Sequence, residues 1–217
     1  MTNPPLLAWL LTVAEVIATF AFALSGLLEA ARKRLDAVGM CIVTGLAAFG
    51  GGTLRDVLLD RRPFFWVAQS EWLWALLALC VVAPAFLRAQ HFAPTERAML
   101  WPDALGLGLF SASGTQLALG QDLPGIVAVL LGVITATFGG VLRDIVCNEI
   151  PSALRDHRPY AVCAFAGGWL LVLLQHLGTA AGLALVLAAA FATGLRALAL
   201  LTGYTLPRWS GEADRRP

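Results

Sequence analysis

Phe49-Gly50-Gly51-Gly52-Thr53-Leu54-Arg55-Asp56 lies inside an apolar run from Val38 to Asp60 that is long enough to cross a bilayer as a helix. Each of its three consecutive glycines costs about 1 kcal/mol of helix propensity against alanine. Lipid offers no replacement hydrogen bonds, so the stretch predicts a helix weakened or broken at its middle. A charged pair, Arg55 and Asp56, follows at once. The same construction returns 88 residues later as Phe138-Gly139-Gly140-Val141-Leu142-Arg143-Asp144. A broken helix carrying an ion pair at membrane depth, present twice, points to a permeation or substrate path rather than a lipid-facing wall.

Composition agrees with a membrane setting. Of 217 residues, 59% are hydrophobic and 13% charged, and the mean hydropathy is +0.76. A soluble domain carries about 25% charged residues, so the chain reads as an all-α integral membrane protein. A net charge of +1 gives no electrostatic case for nucleic acid. Cys41, Cys80, Cys147 and Cys163 form no CxxC pair and read as small apolar fillers. His91, His157 and His176 have no ligand-like spacing, so neither a metal site nor a cofactor is expected. No nucleophile–base pair, P-loop or HExxH stands out, which argues against an enzyme.

Seven spans of about 20 residues can be drawn. They cover Leu6 to Glu29, Val38 to Asp60, Val67 to Leu87, Arg97 to Leu119, Gly125 to Asn148, Tyr160 to Leu177 and Ala180 to Leu201. Arg32, Lys33, Arg34, Arg88, Arg97, Arg155, Arg158, Arg208, Arg215 and Arg216 fall in loops or the tail on one side, against Arg61 and Arg62 on the other. The excess predicts an outside N-terminus and a cytoplasmic C-terminus.

The 88-residue offset also aligns Glu15 with Asp103, Phe22 with Phe110, Ser25-Gly26 with Ser113-Gly114, Asp60 with Asn148, Pro63 with Pro151 and Trp72 with Tyr160. Each repeat therefore holds three spans. An odd number makes the second copy enter from the opposite side, so the repeats are inverted about an axis in the membrane plane. The chain divides into a first repeat over residues 1–92, a second over 93–178, a seventh helix over 179–205 that braces the bundle, and a cytoplasmic tail over 206–217.

Two readings of the glycines stand side by side. Gly50, Gly51, Gly52, Gly139 and Gly140 kink the helices at a pore, or they let neighbouring helices approach closely. Arg55 and Arg143 shape the field of a path, or they are counter-ions for Asp56, Asp144, Glu15 and Asp103, since an unpaired charge in the bilayer costs about 2.5–3.5 kcal/mol at least. Ser25, Thr44, Ser111, Ser113, Thr135 and Thr137 line a polar path or bond to carbonyls one turn back. Arg196 reads as a snorkelling side chain of the last span. Phe64, Phe65, Trp66, Trp72 and Trp74 read as an interfacial belt.

Two glycine-rich helices each followed by Arg-Asp, a Ser-Gly in the preceding span of each repeat, and a 3+3+1 layout resemble the prokaryotic trimeric intracellular cation (TRIC) channel family. That sequence family also carries the label glycine transporter domain. FGGGTLRDVLL is the specific part of the likeness. The resemblance implies a homotrimer in the bacterial inner membrane, each protomer with its own pore for the monovalent cations potassium and sodium, in contact with membrane lipids. It also implies that spans two and five break at Gly50, Gly51 and Gly52 and at Gly139 and Gly140, crossing at the pore centre. Phe138 stands where the first copy has Gly50, so the two breaks are expected to be unequal. The alternative use of the same inverted repeats is a secondary carrier for a small solute such as glycine.

Overall fold

The computed structural model describes residues 4–89, 95–155 and 158–207. His91, His157 and the expected tail from residue 208 onward lie outside them. Among the described residues the secondary structure is all helix. The order is α1 Pro4–Arg32, α2 Ala37–Leu58, α3 Phe65–Ala68, α4 Glu71–Ala89, α5 Glu96–Leu119, α6 Gly125–Val146, α7 Ser152–Arg155, α8 Ala161–His176 and α9 Ala181–Thr202. α1, α2, α6 and α9 are long and apolar enough to cross a membrane. α4 and α8 carry shorter apolar stretches, Glu71–Ala83 and Ala161–His176. α5 owes its lower hydropathy to buried Asp103, Ser111, Ser113, Thr115 and Gln116.

Helix ends are written locally. Asp36 accepts the Gly39 N–H at 2.7 Å to start α2, and the Thr95 hydroxyl oxygen accepts the Ala98 N–H at 3.2 Å to start α5. Non-glycine left-handed residues follow four helices: Arg34 and Asp122, Asp60 and Asn148, with φ of 56°, 57°, 49° and 57°. These form two pairs at the 88-residue offset. After α2 the Arg61 N–H reaches the Asp56 carbonyl at 2.8 Å, and after α6 the Glu149 N–H reaches the Asp144 carbonyl at 2.9 Å. The same helix-ending turn is thus built twice.

The repeats meet through equivalent positions. Phe22 stacks on Phe110 with ring centroids 5.7 Å apart. A Cβ on Gly51 would run into the Thr135 carbonyl oxygen, and one on Gly139 into the Ala47 carbonyl oxygen. Ala47 is itself 88 residues before Thr135, so the contact is reciprocal, as a two-fold relation requires. Residue 51 lies by 135 and residue 47 by 139, so α2 and α6 cross antiparallel with their backbones touching.

Three expectations are corrected here. First, the helices do not break at the glycines: α2 and α6 run as uninterrupted α-helix through Gly50, Gly51, Gly52, Gly139 and Gly140. The magnitudes explain it, because about 1 kcal/mol per glycine is less than the several kcal/mol of an unmade backbone hydrogen bond away from water. Second, the third span is not continuous from Val67. α3 ends at Ala68, a turn at Gln69 and Ser70 follows, and α4 begins at Glu71. α7 is the matching short helix of the second repeat. Third, Phe65 is a core residue and not part of an interfacial belt. Phe65 is buried and packs edge-on against Trp72 at 5.7 Å, and the Trp66 indole donates to the Thr53 hydroxyl at 2.9 Å. Trp74 does face outward.

α9 packs on α5 and α8. A Cβ on Gly108 of α5 would meet Thr193, and one on Gly167 of α8 would meet Ala192 at 2.6 Å. The first repeat has no counterpart to this helix.

Candidate functional site: two buried charge clusters at a glycine crossing

On each helix the arginine comes one turn after the crossing glycine, Gly51 to Arg55 and Gly139 to Arg143, a rise of about 6 Å. Because the helices are antiparallel, the two arginines lie on opposite sides of the crossing. Both guanidiniums are fully buried, so each needs partners.

In the first cluster, Arg55 Nε and Nη2 donate to Asp56 Oδ1 at 2.9 and 2.7 Å. Its Nη1 lies 2.6 Å from Glu15 Oε1 on α1. Asp56 Oδ2 accepts the Phe65 N–H at 3.0 Å, which pins α3 under the end of α2. The Phe65 ring then sits 5.5 Å from the Arg55 guanidinium and against Gly52, where a Cβ would collide with it. A second cation, Arg61, reaches Asp56 at 3.4 Å.

In the second cluster, Arg143 Nε donates to Asp144 Oδ1 at 2.8 Å and Nη1 to Asp103 Oδ1 at 2.7 Å. Nη1 also donates to Ser25 of α1 at 2.5 Å, so this guanidinium ties the two repeats together. Asp144 Oδ2 accepts the Ser152 N–H at 2.7 Å and so fixes α7. Over Gly140 the Tyr160 hydroxyl, Asp103 Oδ1 and Arg143 Nη2 converge, lying 3.2, 3.5 and 3.7 Å from a Cβ built there.

The six charges named from the sequence, Glu15, Arg55, Asp56, Asp103, Arg143 and Asp144, are therefore brought together as two triads. Each arginine pairs both with its neighbour in sequence and with the carboxylate one helix earlier. The hydroxyls divide. Ser111 donates to the Ala164 carbonyl at 2.6 Å, Thr135 to Leu131 at 2.6 Å and Thr137 to Val133 at 2.9 Å. Thr44 and Ser113 are fully buried with no hydrogen-bond partner for their oxygens, and Ser25 serves Arg143. Gly50 is at the edge of the crossing: a Cβ there would crowd the end of the Leu142 side chain at 2.7 Å and touch the Gly139 Cα at an ordinary 3.6 Å.

Sequence reasoning missed Phe65 and Tyr160 as cluster members. The alignment of Trp72 with Tyr160 was the available signal for the latter, since a phenol in place of an indole adds a hydroxyl to the site. It also misjudged Arg196. That side chain does not snorkel: it is buried, donates to the Pro159 carbonyl at 3.0 Å and stacks over Tyr160 at 4.8 Å.

Comparison with known proteins follows the same twofold pattern. The family described as Glycine transporter matches residues 12–89 and again residues 100–176. The UPF0126 membrane protein of Vibrio cholerae is 34% identical over 163 residues, 73% of this chain and 66% of that protein. YvgT, the UPF0126 membrane protein of Bacillus subtilis, is 32% identical over 82% of this chain and 85% of its own length. Among solved structures, the TRIC trimeric intracellular cation channel orthologue from Rhodobacter sphaeroides superposes with a TM-score of 0.80 at 35% identity, covering 89% of this chain and 98% of that one. A prokaryotic TRIC channel gives a TM-score of 0.83 at 27% identity, over 92% and 100% of the two chains. These kin are membrane proteins and channels, not enzymes. Matched twice by the family's own pattern and superposable on its solved members, the chain belongs to the Glycine transporter family, that of the prokaryotic TRIC channels.

Proposed function

We propose that this chain is a cation channel of a bacterial inner membrane, conducting potassium and sodium down their gradients. It works as a homotrimer in which every protomer carries its own pore. The observation that carries the reading is the likeness, over about nine-tenths of the chain, to solved TRIC cation channels. In this reading the seven longer helices cross the membrane as two inverted three-helix repeats, residues 1–92 and 93–178, plus α9. The N-terminus is outside and the C-terminus cytoplasmic.

The pore runs beside the α2–α6 crossing. Gly51 and Gly139 set how closely the two helices approach, and the backbone stays helical. The Arg55 and Arg143 triads guard the two ends of the crossing, Ser25 within the second of them, and Thr44 and Ser113 supply further hydroxyls to the path. With both guanidiniums locked to two carboxylates, the arrangement is a closed one. Loosening either triad would free carboxylate oxygens to face a cation.

Purified protein in a planar bilayer tests the proposal. Unitary cation currents are expected. Saturable, gradient-coupled uptake of glycine into proteoliposomes without unitary current would replace the channel with a carrier, the use that the family's description names.

A further inference from the structure

The two clusters have the same triad but not the same total charge. In the first, Arg55 and Arg61 balance Glu15 and Asp56. In the second, Arg143 alone faces Asp103 and Asp144. The position equivalent to Arg61 is Glu149, which carries the opposite sign and turns away to Lys33. The ring position is vacant as well, since the equivalent of Phe65 is Ala153. Left to its own repeat, the second cluster would be a buried anion, one negative charge in excess, with Tyr160 as its aromatic neighbour.

α9 fills the gap in charge. Arg196 is 1% exposed, and its guanidinium lies over Tyr160, whose hydroxyl shares the space above Gly140 with Asp103 and Arg143. Among the described residues no carboxylate lies within ion-pair distance of it. Its Nε and Nη2 are buried without hydrogen-bond partners. A buried cation in that condition needs a compensating charge close by. The one uncompensated negative charge of the second cluster lies beside the Tyr160 hydroxyl, where Asp103 Oδ1 sits. Cation–π contact holds the guanidinium against the Tyr160 ring and so beside that charge.

We propose that Arg196 is the counter-cation of the second charge cluster, acting through Tyr160 as a positioning residue for Asp103. The α9 helix thereby supplies the second cation that the second repeat lacks, and the charge balance of each end of the crossing has a different origin. Its effect on conduction rests on the channel reading. Its effect on charge balance does not.

A double-variant cycle on the full-length protein separates these. Arg196→Gln leaves the second cluster with an excess negative charge and should lower the melting temperature by about 5 °C. Asp103→Asn removes that excess, so Arg196→Gln with Asp103→Asn should recover at least half of the loss. Pairing Arg196→Gln with Glu15→Gln in the first cluster should give additive losses. Arg196→Lys, which keeps the charge, should melt near the wild type. Should Arg196→Gln yield no folded protein, recovery of folded protein in the double variant becomes the readout, and its failure overturns the proposal. Additive losses for the Asp103 pair overturn it too. In planar bilayers Arg196→Gln should increase the preference for cations over anions. Wild-type protein without current would dismiss the channel reading, while the melting cycle would still decide the role of Arg196.

Discussion

The ends of the α2–α6 crossing carry one motif in two settings. At the first, the Arg55 triad is closed by its own repeat: Glu15 from α1, Phe65 from α3 and Arg61 from the following loop. At the second, the Arg143 triad borrows Ser25 from the first repeat and Arg196 and its stacking on Tyr160 from α9. Duplication preserved the ion pairs because a buried arginine without its carboxylates is costly wherever it stands. The surroundings were free to diverge, because a ring or a second cation can be supplied from any neighbouring helix. One cluster is local and the other is a meeting point of three parts of the chain.

The largest test of that contrast is removal of the arginines. Arg143→Ala strands two buried carboxylates and should cost about 3–5 kcal/mol of stability, read by thermal melting in detergent. Arg55→Ala should cost less, since Arg61 still reaches Asp56 and Glu15 is partly exposed. Neutralising the partner should restore most of it, through Glu15→Gln for Arg55 and Asp103→Asn for Arg143. Arg143→Ala should in addition weaken the packing between the repeats, because Ser25 loses its donor. Equal losses without rescue would mean that the clusters do not act as separate units.

The glycines come next. Gly51→Ala and Gly139→Ala drive a methyl into a backbone carbonyl that cannot turn aside, so each should cost about 3 kcal/mol. The contact is reciprocal, so the two losses should match. A clear difference between them would break the two-fold description at its centre.

A smaller effect is expected at Thr53. Its hydroxyl accepts the Trp66 indole N–H at 2.9 Å, whereas the equivalent second-repeat residue is Val141, with no such bond to make. Thr53→Val should cost about 1 kcal/mol, and Val141→Thr should gain nothing. The smallest effect belongs to Gly50→Ala. The methyl crowds only the end of Leu142, which can rotate, and meets the Gly139 Cα at ordinary contact distance, so the loss should stay below about 1 kcal/mol. A loss as large as that of Gly51→Ala would show that Leu142 cannot give way and that Gly50 sets the helix approach as Gly51 does.

Much of the molecule was legible in the sequence. Apolar run length located the long helices to within a few residues except at the third span, where Asp56 captures the Phe65 N–H and folds α3 aside. That bond joins residues nine apart through a turn, and no periodicity encodes it. The 88-residue offset identified every charge of both triads, because a charged residue inside an apolar run is conspicuous and its cost demands a partner. Which partner it took was a matter of helix packing: Arg55 turned out to hold Asp56 and Glu15 together, not one or the other. The glycines were conspicuous too, yet their effect was decided elsewhere. Propensity alone predicted a break. The tertiary structure keeps the helices whole, because the missing side chains let α2 and α6 touch and because an opened hydrogen bond away from water costs more than the glycines do. Arg196 shows the same limit from the other side. Its sequence neighbourhood offers no partner, and only the placement of α9 against Tyr160 gives its charge somewhere to go. The chain by itself thus fixed which residues carry charge and which lack a side chain, since both follow from residue type. Which helices those residues bring together was fixed by packing, since a contact belongs to two surfaces and neither is written in one stretch of sequence.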